Sequence, residues 1–152
     1  MYDLMDRPVT SLNPGGHLLL WAMRHWVRAV STSRCPCGDV GPAFHKWDMM
    51  AGFPHFHVMM VIFNRHAKEK LCFGTVDYEQ VSEHEALIMS LVRMMQDQPV
   101  ETARGAAALI VTAEALPPLL IAMSAFAQAM KRASLSPAVI SIKSDCTRFT
   151  GE

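Results

Sequence analysis

The sequence predicts an all-α fold, a compact bundle of five to six helices, on three observations. Apolar residues recur every three to four positions in several stretches, as in Leu19, Ala22, Met23, Trp26, Val27 and Val30. Turn-forming residues punctuate those stretches at Asn13-Pro14-Gly15-Gly16, Gly52-Phe53-Pro54, Pro99 and Pro117-Pro118. Ser82-Glu83-His84-Glu85 has the spacing in which a serine caps a helix and a glutamate three residues on closes the box. The 152 residues are 51% apolar and 18% charged, which suits one folded domain rather than a disordered chain. The expected layout is an irregular arm over 1–15, a helical domain over 16–135 and a polar, flexible tail over 136–152, with a short strand conceivable at 138–142.

The first helix is expected from about Gly16 to Ser31. Its outer face carries His17, Arg24, Arg28 and Ser31, with Trp21 among them. Either Trp21 lies under Arg24, or Trp21, Arg24 and Arg28 form a partner-contact surface. The stretch from Ser31 to Gly41 reads as a loop containing Cys35-Pro36-Cys37-Gly38. A second helix is expected over about 42–51, with Pro42 in its first turn and Phe44, Trp47, Met50 and Ala51 inward.

The third helix is expected over about 54–68. Its run Val58-Met59-Met60-Val61-Ile62-Phe63 is apolar all round, so a strand competes with the helix there. After a connector over 71–80, the Ser82 cap opens a fourth helix to about Gln96, with Leu87, Ile88, Leu91, Met94 and Met95 as its stripe. A fifth, rich in Ala and Gly, is expected over about 100–115. A sixth, over about 117–133, turns Leu119, Ala122, Met123, Phe126 and Met130 inward and Ser124, Gln128 and Lys131 outward. The twelve methionines suit irregular gaps in such a core.

Charge is balanced, with 14 Lys plus Arg against 14 Asp plus Glu, and this lacks the basic footprint of non-specific nucleic-acid binding. It is unevenly placed: residues 7–46 carry a net +4 and residues 77–101 a net −5. Residues 1–17 hold no secretory run, and the apolar stretch over 106–130 is interrupted by Glu114 and Pro117-Pro118, so no membrane span is expected. The expectation is a cytoplasmic protein with reduced cysteines.

The residues richest in chemistry lie between Cys35 and Cys72, with His45, His55, His57 and His66 between them. Zinc takes four tetrahedral nitrogen or sulfur ligands. His55 and His57 point to nearly opposite sides of a helix, and His55 and His66 lie about 16 Å apart along its axis. The best single set is Cys35, Cys37, His45 and Cys72, although C-x-C is shorter than the usual ligand pair. The plain alternative buries Cys72 for packing and leaves the Cys35 turn in solvent.

Other chemistries find less. No Glu-x-x-His pair is present for a di-metal carboxylate site. There is no G-x-S-x-G, phosphate loop or dinucleotide fingerprint. A nucleophilic Cys35 or Cys72 would need an unusually low thiol pKa. A helix-turn-helix built from the second and third helices would need polar residues where 58–63 is apolar.

Further features carry a resemblance: His25-Trp26-Val27 in the first helix, Cys35 after it, Phe44, Cys72, Ser82-x-x-Glu85 and Gln96. In these the chain resembles small all-helical bacterial proteins, mostly alphaproteobacterial, over about residues 16–135. The motifs are short. The resemblance implies an intracellular helical domain and carries no activity. The reading is therefore a non-enzymatic helical domain acting through protein contacts, in a regulatory or adaptor role or as a homodimer. Its alternatives are a structural zinc protein around Cys35-Cys37 and, less, a helix-turn-helix DNA-binding regulator.

Overall fold

A computed structural model describes residues 4–138. Six α-helices follow one another: α1 Pro14–Ser31, α2 Pro36–Lys46, α3 Phe53–His66, α4 Glu83–Asp97, α5 Glu101–Ala108 and α6 Leu116–Arg132. Single 3-10 turns stand at Val9–Ser11, Met50–Gly52 and Ala113–Ala115. The described residues contain no strand, only isolated bridges such as Pro8 with Gln80 and Ala67 with Val111. The bundle is all-α, as the periodicity predicts.

Local signals set most helix starts. The Asn13 side chain accepts a hydrogen bond from the Gly16 amide at 2.8 Å, and Pro14 fills the first turn, where its missing N–H costs nothing. α1 therefore starts at Pro14, two residues before the expected point. Chain from beyond α6 returns to this cap. Asn13 Oδ1 also accepts the Ala138 amide at 2.9 Å, and its Nδ2 donates to the Ser136 carbonyl. A Cβ on Gly15 would stand 2.6 Å from the Leu135 carbonyl carbon, so only glycine permits this approach. Residues 136–138, expected in a flexible tail, are thus docked. The remainder of that tail, with most of the conceivable strand, lies outside the described residues.

α2 differs most from expectation. It begins at Pro36 rather than Pro42, so the cysteines expected in a loop sit on its first turn. Pro42 lies inside the helix, which costs on the order of 3 kcal/mol. Val40 and Phe44, both fully buried on its inner face, offset that cost with about 1.5–3 kcal/mol each. Met50 and Ala51, expected inward, are exposed, because the helix ends at Lys46. α3 is helical across 58–63, which settles the competition with a strand.

α5 is half its expected length. Beyond Ala108, the β-branched run Ile110-Val111-Thr112 leaves the helix and pairs with the end of α3. Lys68 N–H donates to the Ile110 carbonyl at 2.7 Å and Thr112 N–H to the His66 carbonyl at 3.0 Å. The segment Ala113–Arg132 is long and apolar enough to cross a membrane by length and composition, which the sequence reading had not expected across Pro117-Pro118. Half of that window is buried inside the bundle, where α6 packs on α3 and α4.

The core centres on Phe44, whose ring lies 5.2 Å from Phe53, 5.2 Å from Phe56 and 6.4 Å from Phe126. Eight of the twelve methionines are buried around it, which confirms the gap-filling role for most of them. All five inward residues expected on α6 are buried.

Candidate functional site

The expected contact residues have different fates. Arg24 is 4% exposed and lies in the interior, not on a partner surface. Its Nε donates to Glu85 Oε2 at 2.8 Å and its Nη2 to Glu85 Oε1 at 2.9 Å. Its Nη1 donates to the Tyr78 carbonyl and its Nη2 also to the Gln80 carbonyl, each at 2.7 Å. Glu85, itself 0% exposed, also accepts the Ser82 amide at 2.9 Å and the Gly74 amide at 2.8 Å. One carboxylate thus completes the capping box of α4, neutralises Arg24 and holds the connector over 71–82 against α1. A buried ion pair with every partner satisfied in this way is structural.

Trp21 is half-buried and does not lie under Arg24. It stacks on His25 at 3.9 Å and meets Trp47 edge-on at 5.5 Å. Arg28 alone of the three is exposed. Connector residues 74–80 folded over Arg24 are what divide the expected surface.

The four expected zinc ligands are not gathered. Cys35 caps α2 and Cys37 stands in its first turn, while His45 lies in the last turn, about 12 Å further along the axis from Cys37. Cys72 is on the connector, where its amide donates to His84 Nδ1 at 2.7 Å and its carbonyl accepts from Ser82 Oγ at 2.7 Å. It is exposed, not buried for packing. Among the described residues, no three His, Cys, Asp or Glu side chains come together as a metal site. His57 is committed elsewhere: its Nδ1 accepts from Trp26 Nε1 at 3.1 Å. Candidate recognition helix α3 buries Phe56, Met59, Met60, Ile62 and Phe63 in the core.

Cys35 and Cys37 do share a site with each other. Both are exposed at the start of α2. The backbone N–H groups of Cys37 and then Gly38 hold the Cys35 thiol below the ordinary range, and the Gly38 amide donates to the Cys35 carbonyl at 3.1 Å. Cys37 is pushed the other way, first by partial desolvation and then by the neighbouring Cys35 sulfur. Arg34 and Asp39 form an ion pair across this turn. Arg34 holds the Asp39 carboxyl below the usual range, chiefly by that hydrogen bond.

Two larger hollows remain. One, about 520 Å³, lies between the C-terminal ends of α1 and α3, floored by Trp26, Met60 and Phe63 and rimmed by Lys68 and Lys70. The other is an open groove of about 490 Å³ between α5 and α6. Val100 and Arg104 form one wall; Pro117, Leu120, Ile121, Ser124, Ala125 and Gln128 form the other. Ile121 is 72% exposed, and Leu109, at the end of α5, is 77% exposed. These are the two most exposed of the large apolar residues described. Sequence reasoning passed over this face, although a signal was there. Ile121 falls three and seven positions before Ser124 and Gln128, so it is an apolar residue on the side expected to face water. Arg104 is the charged residue among those lining the groove, and it is joined to Glu101 by two hydrogen bonds of 2.7 and 2.9 Å.

Compared with protein-family models, with curated proteins and with solved structures, the chain finds no match.

Proposed function

We propose that this chain is a non-enzymatic helical domain that acts through protein contacts, and that the α5–α6 groove is its contact face, where a second copy of the chain docks. The observation that carries the reading is Ile121, a large apolar side chain left in solvent beside an apolar groove of about 490 Å³. The face is self-complementary. If two copies of α6 pack antiparallel about a two-fold axis between residues 122 and 123, Ile121 falls opposite Ser124 and Leu120 opposite Ala125. Each large residue then meets a small one, and each contact occurs twice, as a two-fold interface requires. No unpaired charge on the groove walls opposes a second copy, because Arg104 is already neutralised by Glu101.

Sedimentation velocity over a range of protein concentrations tests this. The wild type sediments as a monomer–dimer equilibrium, and Ile121→Glu, which places a charge in the interface without touching the core, sediments as a monomer. A wild type that stays monomeric throughout, or an Ile121→Glu variant that dimerises as the wild type does, contradicts the reading.

A further inference from the structure

We infer that the hollow between the C-terminal ends of α1 and α3 is a binding site for a single-chain amphiphile with an anionic head, of the class of a medium-chain carboxylate. The site lies apart from the α5–α6 groove and does not depend on the contact reading. Three observations carry it. The first is a hollow of ligand size with an apolar floor. Its volume of about 520 Å³ falls within the roughly 300–1,000 Å³ of small-molecule pockets. Trp26, Met60, Phe63 and Leu71 are buried beneath it, and Val27 and Phe73 are its half-buried walls. Trp26 Nε1 already donates to His57 Nδ1 at 3.1 Å, so no side-chain donor is left over on the floor. Such a floor takes hydrocarbon rather than a polar body.

The second is a cationic rim. Lys68 and Lys70 stand on it, both exposed, and among the described residues neither ammonium group has a hydrogen bond or an ion pair. Glu69 lines the same edge, so two cations face one anion there. The third is that this edge is fixed before a ligand arrives. Lys68 N–H donates to the Ile110 carbonyl at 2.7 Å. Further on, the Cys72 amide donates to His84 Nδ1 and Ser82 Oγ donates to the Cys72 carbonyl, each at 2.7 Å. A segment tied at both ends loses little further freedom on binding. An alkyl chain laid on the floor therefore removes ring and thioether surface from water, while a carboxylate at the mouth meets the two lysines. A cationic head would be repelled by the same pair.

The test is calorimetric titration of the full chain with octanoate and decanoate at low ionic strength, with amide chemical-shift mapping of the decanoate complex. One decanoate binds per chain, about tenfold or more tighter than octanoate, because each buried methylene contributes about fourfold. Its shifts cluster at Asn64, Lys68, Lys70 and Leu71. Replacing both lysines, Lys68→Gln with Lys70→Gln, weakens binding by about threefold to tenfold, Glu69→Gln tightens it, and added salt shrinks both differences. Decyltrimethylammonium binds more weakly than decanoate. The proposal is overturned if decanoate shows no saturable binding, or if the double lysine variant binds it as the wild type does at low salt. It is equally overturned if the cationic amphiphile binds as tightly, or if the shifts gather at Leu120 and Ile121 instead. All three substituted side chains are exposed and the Lys68 bond to Ile110 is made by backbone, so the variants keep the fold, which helical circular dichroism confirms.

Discussion

Arg24 on α1 and Glu85 on α4, separated by 61 residues in sequence, meet in a two-bond ion pair that solvent scarcely reaches. The pair sits where three pieces of chain converge. Glu85 accepts from the amides of Ser82 and Gly74, and Arg24 donates to the carbonyls of Tyr78 and Gln80. The connector over 71–82 has no helix of its own, and this network supplies much of its backbone hydrogen bonding.

Removing one partner strands the other. Arg24→Met leaves a buried carboxylate without its cation, and is expected to cost about 3–5 kcal/mol. Urea unfolding of Arg24→Met, Glu85→Gln and the double variant measures this. The double variant loses less than the sum of the singles, since neither charge is then left alone. A loss below about 1 kcal/mol in Arg24→Met contradicts the assignment.

Gly74 is held to glycine by the same network. A Cβ there would stand 2.7 Å from Arg24 Nη2 and 2.8 Å from the Tyr78 ring. Arg24 cannot swing aside without losing its partners, so Gly74→Ala is expected to destabilise by about 1–3 kcal/mol. Thermal unfolding checks this, with Gly105→Ala as the control. Open space surrounds that glycine on α5, so alanine there stabilises.

Gln96 is buried with its Nε2 donating to the Ala127 carbonyl at 3.3 Å, while its Oε1 has no partner. An unsatisfied buried oxygen costs about 1–3 kcal/mol. Gln96→Met, of similar length and without polar oxygen or nitrogen, is therefore expected to leave stability unchanged or raise it by about 1 kcal/mol. A lower urea midpoint would show that the amide contributes more than this geometry allows.

The thiol order at Cys35 and Cys37 has a pH signature. Cys35 is shifted down by the amides of residues 37 and 38, which persist in Cys37→Ser. Iodoacetamide labelling of Cys35 in that variant reaches half its maximal rate at lower pH than labelling of Cys37 in Cys35→Ser, because the thiolate is the nucleophile. The reverse order contradicts the opposite shifts of the two thiols.

What the sequence disclosed follows the range of the interaction. Caps are local: the Ser82–Glu85 box is read from spacing alone and forms, and the helix start within Asn13-Pro14-Gly15-Gly16 is read two residues late. The inner face of α6 is likewise fixed by period, and its five expected residues are buried. The start of α2 is obscured in the sequence because Gly38 and Gly41 read as loop and Pro42 as a first-turn residue, while burial of Val40 and Phe44 overrides them. α5 stops early because residues 110–112 pair with the end of α3, some forty residues back in the chain. At the site, the same distance problem hid Arg24. Its periodicity matched an outer face, and only the folded connector shows that it faces Glu85. Ile121 was legible in principle from its place among Ser124 and Gln128. The groove beside it depends on α5 lying alongside, which no local pattern states.

Amide chemical-shift mapping by NMR through a dilution series tests most directly whether the α5–α6 face is where this chain makes its contact. The account predicts concentration-dependent shifts clustered at Val100, Arg104, Leu120, Ile121, Ser124 and Ala125, and abolished by Ile121→Glu. Shifts that are absent at every concentration, or that cluster around Trp21 and Arg28 instead, would contradict it.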